Sequence, residues 1–290
     1  MAWHSTWNEP SGGRGFFADR GGMFPPGVKL VLLLTGGVFL LEVQWGPWLI
    51  NFGAVSVGAL YHLEWWRLVT YQLLHASPDH ILWNMFVFWM IGATLERQVG
   101  MKRFLLLYLA CGVVGGLFEG GFNYVMYLRY GPVLLDAAGH TFLTVPAVGA
   151  SAAVAGVLVA FATLNPRAIF LVFFILPVEA WLVALVYALI ESRHVFLALS
   201  RGWTDNVAHA AHFGGMLLGF VWIKWGDVII SLLRHRPRMR AEPSWRQGSA
   251  EEQAELDRIL QKIHNEGIDS LTLGEKMFLQ EISRRRQGRM

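Results

Sequence analysis

Charge is scarce in this chain. Lys, Arg, Asp and Glu together make up 16% of its 290 residues, where a soluble domain carries about 25%. Cysteine is scarcer: Cys111 stands alone inside an apolar run, so no internal disulfide can form and the redox compartment stays open. It reads as a small buried hydrophobe. Residues 1–27 are Gly/Pro-rich and lack a continuous apolar core. They are expected to be disordered, and they do not form a cleavable signal peptide. No His-Glu-x-x-His motif occurs, and no convincing internal repeat of the transporter kind.

What fills the chain instead is apolar. Hydrophobic residues reach 54%, and the mean hydropathy is +0.40. Long apolar runs point to an all-α membrane protein with six transmembrane helices and a small helical cytoplasmic tail. The spans are predicted at 28–52, 79–96, 102–118, from Pro146 to just before Asn165-Pro166, within 168–190 (Pro177 marking a kink or the true start), and at 205–225. Thirteen tryptophans suit interfacial belts.

With the N-terminus cytoplasmic, all of the 24 Lys and Arg except Arg67, Arg129, Arg193 and Arg201 fall on the cytoplasmic side. Both ends are therefore expected there. The external segment 51–78 is amphipathic, and Trp65-Trp66-Arg67 suits the headgroup level. Segment 119–145 reads as a plain external loop.

Four domains follow: a disordered segment 1–27, the membrane domain 28–225, a basic linker 226–248, and a small helical domain 249–290. In the linker, Arg234, Arg236, Arg238 and Arg240 suit orientation and contact with anionic membrane lipid, not nucleic acid. Ser249-Ala250-Glu251-Glu252 and Thr272-Leu273-Gly274-Glu275 read as capping boxes. Leu256, Ile259, Leu260 and Ile263 would form the apolar face of the helix between them.

Polar residues inside the spans carry the chemistry, because they are costly there. Ser151 lies among Gly149, Ala150, Ala152 and Ala153, just after Pro146. It should sit in or near the first turn of a helix, where free N–H groups favour a developing oxyanion. Taken alone, the same serine reads as one bonded back to its own helix. On the sixth span Ala211, Gly215 and Gly219 recur four apart, a small-residue packing seam. His212 lies beside it and could reach Ser151 as general base. A histidine bonded only for packing is the other reading. Asp205 is two turns away, too far to orient the His212 ring, so a dyad without a carboxylate is expected. His209 is accessory or structural. On the second span His80 and Asn84 share a face, and both can donate to an oxyanion. Zinc held by His75, His80, His209 and His212 is the metal alternative. No carboxylate or thiolate is seen at ligand spacing, so no metal and no other cofactor is expected.

These residues resemble the rhomboid family of intramembrane serine proteases. Trp66-Arg67 is similar to the family's Trp-Arg pair. His75, His80 and Asn84, with Glu96, match its second-span pattern. Gly149-Ala150-Ser151 matches Gly-x-Ser, and Ala211-His212-Phe213-Gly214-Gly215 matches Ala-His-x-Gly-Gly. The resemblance covers residues 28–225. It implies a six-helix bundle with Ser151 as nucleophile and His212 as base. It also implies an oxyanion hole of His80, Asn84 and the Ser151 N–H. The implied substrate is another protein's transmembrane segment, entering sideways near the fifth span. Gly149 would permit the turn at the nucleophile.

Two positions depart from the family. Ala152 stands where many members have glycine. Ala155 stands where many carry an aromatic under the catalytic histidine, which leaves open what holds His212. The tail resembles a small domain appended to some bacterial rhomboids and implies a bacterial inner membrane. The rival function is an inactive rhomboid-like scaffold that binds membrane clients. No oligomeric state follows from the sequence.

Overall fold

The computed structural model describes residues 22–133, 135, 139–172, 175–202, 205, 207–233 and 250–287. They fall in two compact units, Met1–Ile230 and Ser231–Met290. Residues 1–21, the arginines from Arg234 to Arg240 and the capping Ser249 lie outside the described residues.

The first unit is built from long helices. α1 spans Pro26–Gly53, so it starts inside the segment expected to be disordered. Proline suits a helix's first turn. The N–H groups of Gly27 and Val28 donate to the Glu96 carboxylate at 2.8 and 2.7 Å. This satisfies two of the donors that every helix start leaves over. Non-helical angles at Trp45, with Pro47 in the helix, mark a kink. The connection to the next long helix holds two short α-helices, α2 (Val57–Tyr61) and α3 (Arg67–Thr70), and a 3₁₀ turn at Tyr71–Leu73. The Trp66 indole donates to the Phe52 carbonyl at 3.2 Å. Arg67 donates to the Ala54 carbonyl at 2.9 Å and pairs with Glu64 at 2.6 Å. Trp66-Arg67 thus fastens the connection to the end of α1, and both Trp65 and Trp66 keep exposed surface.

α4 spans Pro78–Val99, and the Ser77 hydroxyl caps it by accepting from His80 N. α5 runs Met101–Tyr130, well beyond the expected end at residue 118. From the sequence, the segment from Glu119 to Val145 is expected to be an external loop. In the structure Asn123 donates to Glu119 at 3.0 Å, and Glu119 also accepts the Ala211 N–H. Polar groups satisfied in this way can stay inside a buried helix.

α6 spans Ser151–Leu164 and is buried along most of its length. It packs against α4, α5 and α7 and forms the centre of the core. Its start lies beyond the expected one near Pro146, because Ala147 pairs as an isolated bridge with Val55. The expected fifth span divides in two. An antiparallel hairpin, β1 (Ile169–Val172) with β2 (Leu176–Glu179), precedes α7 at Ala180–Arg201. Among the described residues the regular structure is helical apart from this hairpin and the Val55–Ala147 bridge. Pro177 lies in β2, opposite Leu171. α8 spans His209–Leu233. A Cβ on Gly215 or Gly219 would overlap the carbonyls of Ala152 and Gly156, so the predicted small-residue seam packs α8 against α6.

By length and composition α1, α5 and α7 can each cross a membrane, and α6 is a shorter apolar helix. In the second unit, α9 (Ala250–Glu266) ends at Gly267, whose φ of +86° suits glycine, and α10 covers Leu273–Gln287. Thr272 and Glu275 form the predicted capping box, with Thr272 N donating to Glu275 at 2.8 Å. Ile259 is buried, but Leu260 is exposed, so the apolar face is narrower than expected.

Candidate active site

Ser151 is the first residue of α6. The chain enters there through Gly149, whose φ is +125°. A Cβ on Gly149 would lie 2.7 Å from His80 Cε1, so only glycine lets the backbone pass under that ring. Two bonds fix this entry. Gly149 N donates to the Tyr71 carbonyl at 2.9 Å, and Ala150 N donates to His75 Nε2 at 3.4 Å. His75 Nδ1 lies 3.3 Å from the Leu73 carbonyl. The ring is thus the neutral tautomer that donates through Nδ1 and accepts at Nε2. Burial, then the neighbouring His80, lowers its pKa from 6.5 to about 4.

His212 comes from the first turn of α8 and is 8% exposed. Its Nε2 lies 2.8 Å from Ser151 Oγ. Its Nδ1 lies 3.1 Å from Oε1 of Glu191, a residue of α7 that is 4% exposed. The other oxygen of Glu191 lies 2.5 Å from His209 Nδ1, and His209 Nε2 lies 3.0 Å from Asp205 Oδ1. The expectation that no carboxylate touches His212 is overturned. The carboxylate that bonds this ring is Glu191, while Asp205 bonds His209. The ring of Tyr187 lies 6.2 Å from His212 at 44°.

His80, Asn84, Ser151, Ala155, Phe170 and Tyr187 line one cavity of about 640 Å³ between α4, α6, α7 and the hairpin. Asn84 donates one amide hydrogen to the His80 carbonyl at 2.9 Å. Its amide carries a second.

The decisive comparison is with family models. That of the rhomboid domain matches residues 62–226, more than half of the chain. The chain belongs to the rhomboid family. A model of a family of unknown function matches residues 244–285 of this rhomboid. Over 191 residues the rhomboid is 30% identical to the rhomboid protease GluP of Bacillus subtilis (strain 168), covering 63% of this chain and 31% of that protein. Over 198 residues it is 25% identical to the rhomboid protease GlpG of Yersinia pestis (strain Pestoides F), covering 68% and 58%. Over 54 residues it is 44% identical to the putative rhomboid protease YdcA of Bacillus subtilis (strain 168), covering 19% and 27%. The chain spans 27% to 58% of the length of these relatives.

The sequence-predicted residues divide into three groups in this rhomboid. Ser151, His212, His80, Asn84 and Gly149 lie together at the N-terminal end of α6. Gly215 and Gly219 pack α8 onto α6. Trp66 and Arg67 bond to the end of α1 and do not line the cavity. Sequence reasoning missed Glu191 and Tyr187. The signal for Glu191 was present, since it is a carboxylate within an apolar helix. Glu191, His209 and His212 bring donor atoms within 4.8 Å of one another, as do His194, Asp205 and His209. The His194 and His209 rings stack at 4.1 Å and 16°. Near-parallel rings do not aim two nitrogens at one ion, so the His194–His209 pair suits hydrogen bonding better than a metal centre.

Proposed function

We propose that this rhomboid is an intramembrane serine endopeptidase that cleaves transmembrane segments of other membrane proteins. The observation that carries the reading is the 2.8 Å approach of His212 Nε2 to Ser151 Oγ on the wall of the cavity. Ser151 attacks the peptide carbonyl while His212 takes its proton. The carbonyl electrons move to the oxygen, which the Ser151 N–H, His80 and Asn84 receive. The oxyanion collapses, the C–N bond breaks, and His212 returns the proton to the leaving amine. Water, activated by the same histidine, then hydrolyses the acyl-enzyme.

Six helices of the first unit, α1 and α4 to α8, serve as spans in this reading, with both chain ends in the cytoplasm of a bacterial inner membrane. α6 has 14 residues, roughly 21 Å at 1.5 Å each, against about 30 Å of hydrocarbon. Such a helix can start below the surface, which suits a serine acting on a buried segment. The cavity is walled by α4 on one side and α7 with the hairpin on the other. A transmembrane substrate would enter sideways between them.

The test is cleavage of a model transmembrane substrate in detergent. Ser151→Ala and His212→Ala are expected to abolish it, and Asn84→Ala to lower kcat by about 10²–10³ as one oxyanion donor is lost. Equal cleavage by wild type and Ser151→Ala would sink the assignment. A fluorophosphonate probe that leaves Ser151 unlabelled would favour a client-binding scaffold.

A further inference from the structure

We infer that Glu191 is a positioning residue for His212, held in turn by His209 and Asp205, so that the site works as a Ser–His–Glu triad. The inference rests on the peptidase reading above and adds the residue that aims its base.

Glu191 is nearly inaccessible on an apolar helix. A carboxylate there is costly unless both oxygens are bonded. Each oxygen takes one histidine nitrogen. Oε1 faces His212 Nδ1, and Oε2 faces His209 Nδ1, one turn earlier on α8. The remaining nitrogen of His209 faces both oxygens of Asp205, at 3.0 and 3.1 Å. Both nitrogens of His209 thus meet carboxylates and must both carry protons to donate. A cationic His209 between two carboxylates fixes Glu191 without competing for the oxygen that serves His212.

The consequence at His212 is chemical. When Nδ1–H donates to a carboxylate, the lone pair of the neutral ring lies on Nε2. That atom faces Ser151 Oγ. As the serine proton moves to Nε2, the ring becomes an imidazolium whose charge lies beside Glu191. The carboxylate remains unprotonated throughout. Among the described residues, Glu191 is the carboxylate bonded to the His212 ring. Ala155 has no ring, and Tyr187 is tilted and 6.2 Å away.

A purely structural role, tying α7 to α8, makes a different prediction. It would lower folding stability and leave turnover per folded molecule intact. The experiment uses the full chain in detergent with a fluorogenic transmembrane substrate, recording kcat, KM and the thermal midpoint. Glu191→Gln keeps the shape and removes the charge. Its kcat is expected to fall by about 10² or more, within the range for loss of a triad carboxylate, while KM stays within about threefold. Glu191→Asp is expected to recover about tenfold of that loss. His209→Gln is expected to lower kcat by a smaller factor, again at constant KM. If Glu191→Gln does not fold, His209→Gln decides: a lowered kcat at unchanged KM supports the triad, and a wild-type kcat overturns it. Wild-type kcat in folded Glu191→Gln, with Ser151→Ala inactive, also overturns it. If Ser151→Ala itself cleaves like wild type, the failure belongs to the peptidase reading.

Discussion

Gly149 has two reasons to be glycine. Its φ of +125° is one that other residues rarely adopt, and His80 occupies the place of a Cβ. Gly149→Ala is expected to cost about 1–3 kcal/mol in backbone strain and to displace His80. The check is the fluorophosphonate labelling rate of Ser151 against the thermal midpoint. A large loss of labelling with a modest loss of stability is expected. His75 supplies a pH effect of definite sign. Burial and then His80 put its folded pKa, about 4, below the unfolded 6.5. The unfolded chain therefore gains its proton first. The contribution of His75 to stability is whole above about pH 6.5, falls as pH drops toward 4, and is constant below. The other groups facing His75 are His80 and Glu42, whose carboxylate accepts the His75 N–H at 3.1 Å. His75→Gln can still accept from Ala150 N but does not titrate. Thermal midpoints from pH 4 to 7 should vary less in this variant. An unchanged slope would remove His75 as the cause.

At the scale of elements, the site is an intersection of helix ends. α6 starts at Ser151, α8 starts at His209, and α4 starts at Pro78, two residues before His80. Serine, histidine and asparagine are conspicuous in apolar helices and pointed to these segments, but α6 starts after the expected Pro146 and α8 after the expected Asp205. The α6–α8 contact was legible in the four-residue spacing of small residues. What was left open is where the fifth helix begins, since Pro177 read either as a kink or as the true start. Residues 168–190 are apolar enough to read as one helix, and an apolar run does not distinguish a buried strand from a helix. Ending the span at residue 190 left Glu191 as a flank. With the helix starting at Ala180, Glu191 falls in its middle and faces α8. The seam gives a prediction of its own. Gly219→Leu would force α8 away from the Gly156 carbonyl. Loss of Ser151 labelling and a clearly lower thermal midpoint are expected, although Gly219 is nearly two turns from His212. Gly121, on α5, has open space where its Cβ would be. Gly121→Leu should match wild type in both measurements.

The whole molecule raises a question of direction, because a site at one set of helix ends serves only one side of a membrane. Ser151, His212 and His80 lie at the starts of their helices. Of the 24 Lys and Arg, those after Leu233 and those near the starts of α1 and α5 would share the opposite side. Positive residues are retained in the cytoplasm, so the Ser151 end is expected to face outward and the second unit inward. The chain is suited to a direct measurement, since its only cysteine, Cys111, is buried. Thr144→Cys adds an exposed thiol in the segment leading to Ser151, and Asp269→Cys adds one in the second unit. In intact cells, with the outer barrier opened, a membrane-impermeant maleimide should label Thr144→Cys and spare Asp269→Cys. Asp269→Cys should become labelled only after the inner membrane is permeabilised. The reverse pattern would turn the protein over. It would put Ser151 on the cytoplasmic side and require cleavage products to be released there.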